Sequence, residues 1–210
     1  MIQTSLILLI SSILVFTIYN IVAIKLFRVP TSLSDTFYLY QNKKKGLGYI
    51  FTAMMWTMAF LLMPAWLTIS DSMPGWEHNF TFLAFFAAAA IVFVGSAPAF
   101  RNVGLENKVH MIAAKSCAVF AIAWCAVVCW RIMYVIPIMI GLVWAFAALL
   151  EYIHLKMDYS NHTPEEQEKF DIKGDLKYVL KRHSDYWWEM CAFGATFATV
   201  GIQELILLLQ

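Results

Sequence analysis

Charge is scarce in this chain. Only 14% of its 210 residues are Asp, Glu, Lys or Arg, and 61% are hydrophobic, where an ordinary soluble domain has about 25% charged and roughly 45–50% apolar residues. So thin a polar complement excludes a water-soluble coat. Basic clusters interleaved with aromatic residues are also lacking, which excludes nucleic acid as a partner. Cysteine is limited to Cys117, Cys125, Cys129 and Cys191, all inside apolar segments. Cys125 and Cys129 share a helix face, but there is no CxxC or Cys/His zinc spacing. These thiols read as small buried residues in helix contacts. No basic stretch precedes the first apolar run and no Ala-x-Ala-like site closes it, so that run reads as a span and not as a signal peptide. Low-complexity tracts and internal repeats are absent.

What the chain does have is long apolar blocks. A bilayer core of roughly 30 Å needs about 20 apolar residues in a helix. Six segments meet that requirement, at approximately 2–24, 48–69, 80–100, 109–130, 133–155 and 186–209. The expected fold is all-α, a polytopic six-helix transmembrane bundle forming a single domain over residues 1–210. The longer loops fall at 25–47 and 156–185. Pro64, Pro98 and Pro137 are expected near span ends, where they kink or terminate helices. Thirteen of the fifteen Lys and Arg residues fall in three loops on one side; Lys115 and Arg131 are the others. The positive-inside rule then places those loops in the cytoplasm and both termini outside, in a multi-pass protein of the plasma (inner) membrane.

Tryptophan and small residues refine the picture. Trp66, Trp76 and Trp130 are expected at the outer interface, and Trp187 and Trp188 at the inner one. Ala84, Ala88 and Gly95, Ala113, Cys117 and Ala121, and Gly194, Ala198 and Gly201 mark packing faces where backbones approach closely. In "VPTSLSDTFYLYQNKKKG", Ser32 or Ser34 is placed to cap a short helix. Its Leu33, Phe37 and Tyr40 are expected to face lipid, with Lys43, Lys44 and Lys45 at the headgroups. In "NHTPEEQEKFDIKGDLKYVLKRHSD", Thr163, Pro164 and Glu166 form a helix-start signal ahead of a solvated surface helix.

Ionisable groups inside spans are expensive, about 2.5–3.5 kcal/mol each at a helix centre. They concentrate at the expected cytoplasmic end. Ser96 closes span three, His110 opens span four, and Lys115 lies deeper. Glu151 and His154 are three apart on one face of span five. Glu189 lies just inside span six, and Asp35 is in reach from its loop. Snorkelling and structural ion pairs account for many such groups. The functional reading is a cytoplasm-facing polar pocket that binds a lipid headgroup or small polar ligand. It is built from Asp35, Ser96, His110, Lys115, Glu151, His154 and Glu189. His110, Lys115 and Glu151 are its charged contacts, Lys115 is paired with Glu151 or Glu189, and Asp35 is on the covering loop.

Other chemistries have less support. Asp35, His110, His154 and Glu189 are the residues a metal-dependent lipid hydrolase would use, but no HExxH motif accompanies them, and no catalytic residue or cofactor is assigned. A proton-coupled carrier would use Glu151, Lys115 and Glu189 as a relay, yet no duplicated Gly/Pro-broken span marks a substrate site. A retinal protein needs a lysine in its last span, which is missing here. Membrane lipids are the expected partners, with other membrane proteins or self-association through the small-residue faces as a third, non-catalytic reading. Glu204, near the outer end of span six, is placed to pair with Arg131.

"PTSLSDTFY" after span one and "FVGSAPAF…VHMIAA" joining spans three and four resemble the six-span membrane proteins of the DRAM/Sfk type and their prokaryotic relatives. Those proteins have a Ser-rich, aromatic first cytoplasmic loop, a Pro-containing end to span three and a His at the start of span four. The resemblance covers residues 1–130 and falls on Ser32, Ser34, Asp35, Tyr38, Pro98 and His110. The basic loop before span six has no counterpart in the group. The resemblance implies six spans, in a group with some members tied to lipid-anchor handling or membrane stress.

Overall fold

The computed structural model describes residues 2–101, 104–132 and 184–210, together with Phe146, Leu149, Tyr152 and Ile153. Among these residues all regular structure is helical. The elements are α1 (Ile2–Phe27), the short α2 (Thr36–Lys43), α3 (Tyr49–Asp71), a 3-10 turn (Trp76–Phe80) leading into α4 (Thr81–Ser96), α5 (Leu105–Ile132) and α6 (Ser184–Leu209). Five stretches are long and apolar enough to cross a membrane: Gln3–Phe27, Tyr49–Asp71, Trp76–Ser96, Leu105–Val128 and Asp185–Leu209. Apart from Phe146, Leu149, Tyr152 and Ile153, the span expected at 133–155, with Pro137, lies outside the described residues, as does the loop expected at 156–185 up to His183.

Local chemistry sets the helix ends. Arg28 stops α1 by adopting φ 65°, with its N–H bonded to Ile24 O at 2.8 Å. This is the left-handed closing geometry that usually takes glycine. α4 stops at Ser96, four residues before the expected end at Phe100. Pro98 disfavours helical geometry at the residue before it, and Ala97 sits at φ −119°, ψ 62°. α5 begins at Leu105, not at 109 as hydropathy suggested, because its polar first turn is used: Glu106 Oε1 accepts the Ala99 N–H at 3.2 Å. Pro64 was expected near a span end but lies inside α3, which runs on to Asp71. An apolar helix packed among others tolerates that interruption.

α3 is the hub, packing against α1, α2, α4 and α6. Its Phe51, Met58, Leu62, Trp66 and Ile69 are completely buried. α4 lies close on it: a Cβ added at Gly95 would sit 2.9 Å from Met55 Cβ and 2.9 Å from Trp56 Cδ1. Trp66 is therefore a core residue and not an outer-interface anchor. It meets Trp124 edge-on at 5.3 Å, and Trp124 Nε1 donates to Ser70 Oγ at 2.9 Å. Trp187 is buried beside Val29 and Tyr186, whereas Trp188 is exposed. The lipid-facing role expected for Leu33, Phe37 and Tyr40 is also corrected, since all three are buried. Tyr40 packs on Phe27 and Tyr19, with ring centroids 4.9 and 5.9 Å away, and Phe37 closes on Gly48. The apolar face of α2 has found a protein groove in place of a bilayer surface.

The bundle has two distinct ends. At one, residues 28–35, α2 and the 97–101 turn meet the start of α6, where Tyr186 N donates to Thr31 O at 3.1 Å. At the other, Val128 of α5 and Gln203 of α6 lie beside Met73, Pro74 and Glu77. Nearby, Ser5 Oγ of α1 donates to Glu204 Oε1 of α6 at 2.5 Å. The Arg131 side chain, expected to pair with Glu204, lies outside the described residues.

Candidate functional site

Residues 31–36 form a strap across one end of the bundle, and polar side chains from several helices hold it. The Glu189 carboxylate on α6 accepts the Leu33 N–H at 2.5 Å. The Thr36 hydroxyl donates to Leu33 O at 2.5 Å and lies 2.5 Å from the Tyr19 hydroxyl of α1. Ser32 Oγ accepts the Asp35 N–H at 3.2 Å. Tyr186 anchors the start of α6 a second time, its hydroxyl donating to Asn20 Oδ1 at 3.1 Å. Of these bonds, the one from Leu33 to Glu189 ties the strap backbone directly to α6.

The strap also reaches the 97–101 turn. Arg101 Nη2 lies 2.6 Å from Asp35 Oδ1 and its guanidinium sits 4.7 Å over the Tyr38 ring. The Arg101 side chain is 57% exposed, which limits this ion pair to about 0–1 kcal/mol. Behind the turn, Tyr38 packs on Phe100, and Phe100 stacks on the His110 ring at 4.9 Å. His110 is 3% exposed, and its Nδ1–H donates to Ala97 O at 2.8 Å. That bond satisfies a carbonyl left open where Pro98 ends α4.

Under the strap lies a cavity of about 710 Å³. Among the described residues it is lined by α3, α4, α5 and α6, and by Leu33 and Ser34 of the strap. The lining runs from Trp188 to Thr199 on α6, from Ala114 to Cys125 on α5 and from Met55 to Trp66 on α3. At 1.5 Å per residue each stretch is about 16 Å long, so the cavity is elongated along the bundle. Its walls are mostly apolar. Thr196 and Thr199 line it, but their hydroxyls donate back to Ala192 O and Ala195 O within α6. Cys117, Cys125 and Cys191 contribute thiol side chains to the lining. The polar groups at the strap end are Ser34 and Glu189.

The expected site residues divide accordingly. Glu189 lines the cavity. Asp35 follows the cavity-lining Ser34 but engages Arg101. Ser96 is exposed and its hydroxyl folds back onto Val92 O at 2.8 Å. His110 is committed to the 97–101 turn and is not among the lining residues. Lys115 is exposed on α5, next to the lining residue Ala114 but not itself in the wall. Glu151 and His154 lie outside the described residues, and with His154 so does one ligand of the metal reading. Among the described residues no three His, Cys, Asp or Glu side chains are grouped to hold a metal ion. The sequence reading overlooked Tyr19, Thr36, Arg101 and Tyr186, all of which shape the strap. Thr36 and Tyr186 fall in stretches dense in hydroxyl and aromatic residues, 31–40 and 184–188, whereas Tyr19 and Arg101 stand in neither and carry no such sequence signal. Comparison with family models, with curated proteins and with solved structures finds no match for this chain.

Proposed function

We propose that this chain is a multi-pass protein of the plasma (inner) membrane that holds a membrane lipid or similar amphiphile in the cavity between α3, α4, α5 and α6. The lipid's apolar part lies among the helices and its headgroup lies under the strap. The observation that carries the reading is the cavity itself. Its volume falls within the roughly 300–1,000 Å³ typical of ligand pockets, and so does its pattern of apolar walls with few polar groups. The proposed topology has six spans, with the strap on the cytoplasmic face and both termini outside. Two described features support it. α5 ends beside Met73 and Gln203, whereas α6 starts against Thr31 at the opposite end. An odd number of crossings between them keeps the alternation. The exposed Lys43, Lys44 and Lys45 also lie at the strap end, as the positive-inside rule requires.

The test is lipid retention. The purified protein is taken through detergent exchange and examined by native mass spectrometry, beside Ala118→Phe and Ala195→Phe, which place a ring in the cavity. Retained lipid in the wild type and loss of it in both folded variants is the expected result. Equal retention in all three proteins would remove the cavity as the site.

A further inference from the structure

We infer that the cavity selects a lipid whose headgroup ends in a primary ammonium, received at the strap end by the Glu189 carboxylate and the Ser34 hydroxyl. This deepens the lipid-holding reading and rests on it. Three observations carry the choice of headgroup.

The first is charge. Among the described lining residues Glu189 is the only ionisable acid or base other than the thiols, and none of them is Lys, Arg or His. Asp185, four residues earlier on the same face of α6, is exposed and places a second acidic side chain one turn from Glu189. The Asp35 carboxylate is taken up by Arg101 at 2.6 Å, and the Lys115 ammonium is exposed outside the wall. A phosphate or other anionic terminus at this point would meet a carboxylate with no described cation lining the cavity to offset it.

The second is hydrogen-bonding capacity. Glu189 spends Oε2 on the Leu33 N–H, and its other oxygen has no described hydrogen-bond partner. An ionised carboxylate has about four acceptor sites on its two oxygens. Ser34 is 7% exposed and lines the cavity, and the described residues supply no partner for its hydroxyl. Because Ser34 directly follows Leu33, whose N–H is bonded to Glu189, the two unused acceptors belong to one short segment of the wall.

The third is the match of donors. An alkylammonium carries three N–H donors and no acceptor, which suits a site offering carboxylate and hydroxyl oxygens. A trimethylammonium group has the same charge but no N–H. It would leave the Ser34 hydroxyl and the second Glu189 oxygen without hydrogen bonds in a half-buried place, where an unmade bond is costly.

The test is a headgroup competition on the full-length protein. Delipidated protein is incubated in mixed micelles holding equal amounts of phosphatidylethanolamine, phosphatidylcholine and phosphatidylglycerol with identical acyl chains. Bound lipid is then counted by native mass spectrometry. The expected result is enrichment of the ethanolamine lipid by roughly tenfold over each competitor, the equivalent of one charge-assisted hydrogen bond. Glu189→Gln retains an acceptor for the Leu33 N–H and should bring the three lipids close to parity, while Ser34→Ala should reduce the preference in part. Should Glu189→Gln fail to fold, the wild-type competition alone decides. Lipid retained without headgroup preference, or with preference for the glycerol lipid, overturns the ammonium site and leaves the lipid cavity standing. A wild-type protein that binds none of the three overturns both.

Discussion

Replacing Ser5 with alanine removes the hydroxyl that donates to Glu204 Oε1 across the contact between α1 and α6. Ser5 is 2% exposed and Glu204 is buried, so the hydroxyl is removed from a site shielded from solvent. Glu204 Oε2 has no hydrogen-bond partner of its own among the described residues, which leaves the carboxyl poorly satisfied once Ser5 is gone. Orphaning a buried polar group costs about 1–3 kcal/mol, and interhelical hydrogen bonds in membrane proteins reach about 1.7 kcal/mol. The expected loss for Ser5→Ala is therefore about 1–2 kcal/mol. For a chain of this size that lowers the melting temperature by about 2–8 °C. Removing both partners should be milder than orphaning one, because an apolar pair has no polar atom to strand. The double variant Ser5→Ala/Glu204→Met should thus be at least as stable as Ser5→Ala alone. The assay is thermal unfolding in detergent, followed by tryptophan fluorescence, for the wild type, both single variants and the double. Losses that simply add, or an unchanged midpoint in Ser5→Ala, would refute the reasoning.

Gly95→Val should destabilise the α3–α4 contact by about 1–3 kcal/mol through overpacking. Gly194→Ala, where an added Cβ meets nothing within 4 Å, should be neutral or gain up to about 1 kcal/mol; thermal unfolding of the pair checks both. At Arg28, with φ 65°, Arg28→Val should be less stable than Arg28→Gly, because a β-branched residue resists the left-handed region; the order of the two midpoints is the readout. Asp35→Asn should lower stability by no more than about 1 kcal/mol, and the difference should shrink in high salt; a salt series of unfolding curves tests this.

The apolar runs made the described spans legible, because length and hydropathy are properties of local sequence. Their ends were less so. Hydropathy counted Leu105–Lys108 as turn, although Glu106 earns its place in the helix by capping Ala99, and it read Ala97–Phe100 as span although Pro98 had already ended the helix. The site was legible in part. Glu189 stood out as an acid just inside a span, but its partner is a backbone N–H 156 residues away, which no local pattern reveals. His110 and Lys115 were placed in the pocket by their depth in α5. Depth does not give azimuth: His110 turned toward Ala97, and Lys115 faces out of the cavity wall. The same uncertainty misplaced Leu33, Phe37 and Tyr40, whose amphipathic spacing suits a protein groove as well as a membrane surface.

The strap also bears on how the protein is made. Its fastenings come from opposite ends of the chain, Tyr19 on α1 and Tyr186 with Glu189 on α6. Leu33 is synthesised 156 residues before Glu189, a delay of roughly 8–30 s at cellular rates of about 5–20 residues per second. Throughout that interval the Leu33 N–H and the Thr31 carbonyl lack their native partners, and the cavity lacks its α6 wall. Insertion of the last helix is then the step that closes the cavity, and nascent chains stalled before Ser184 should present an open, lipid-accessible bundle to the membrane quality-control machinery.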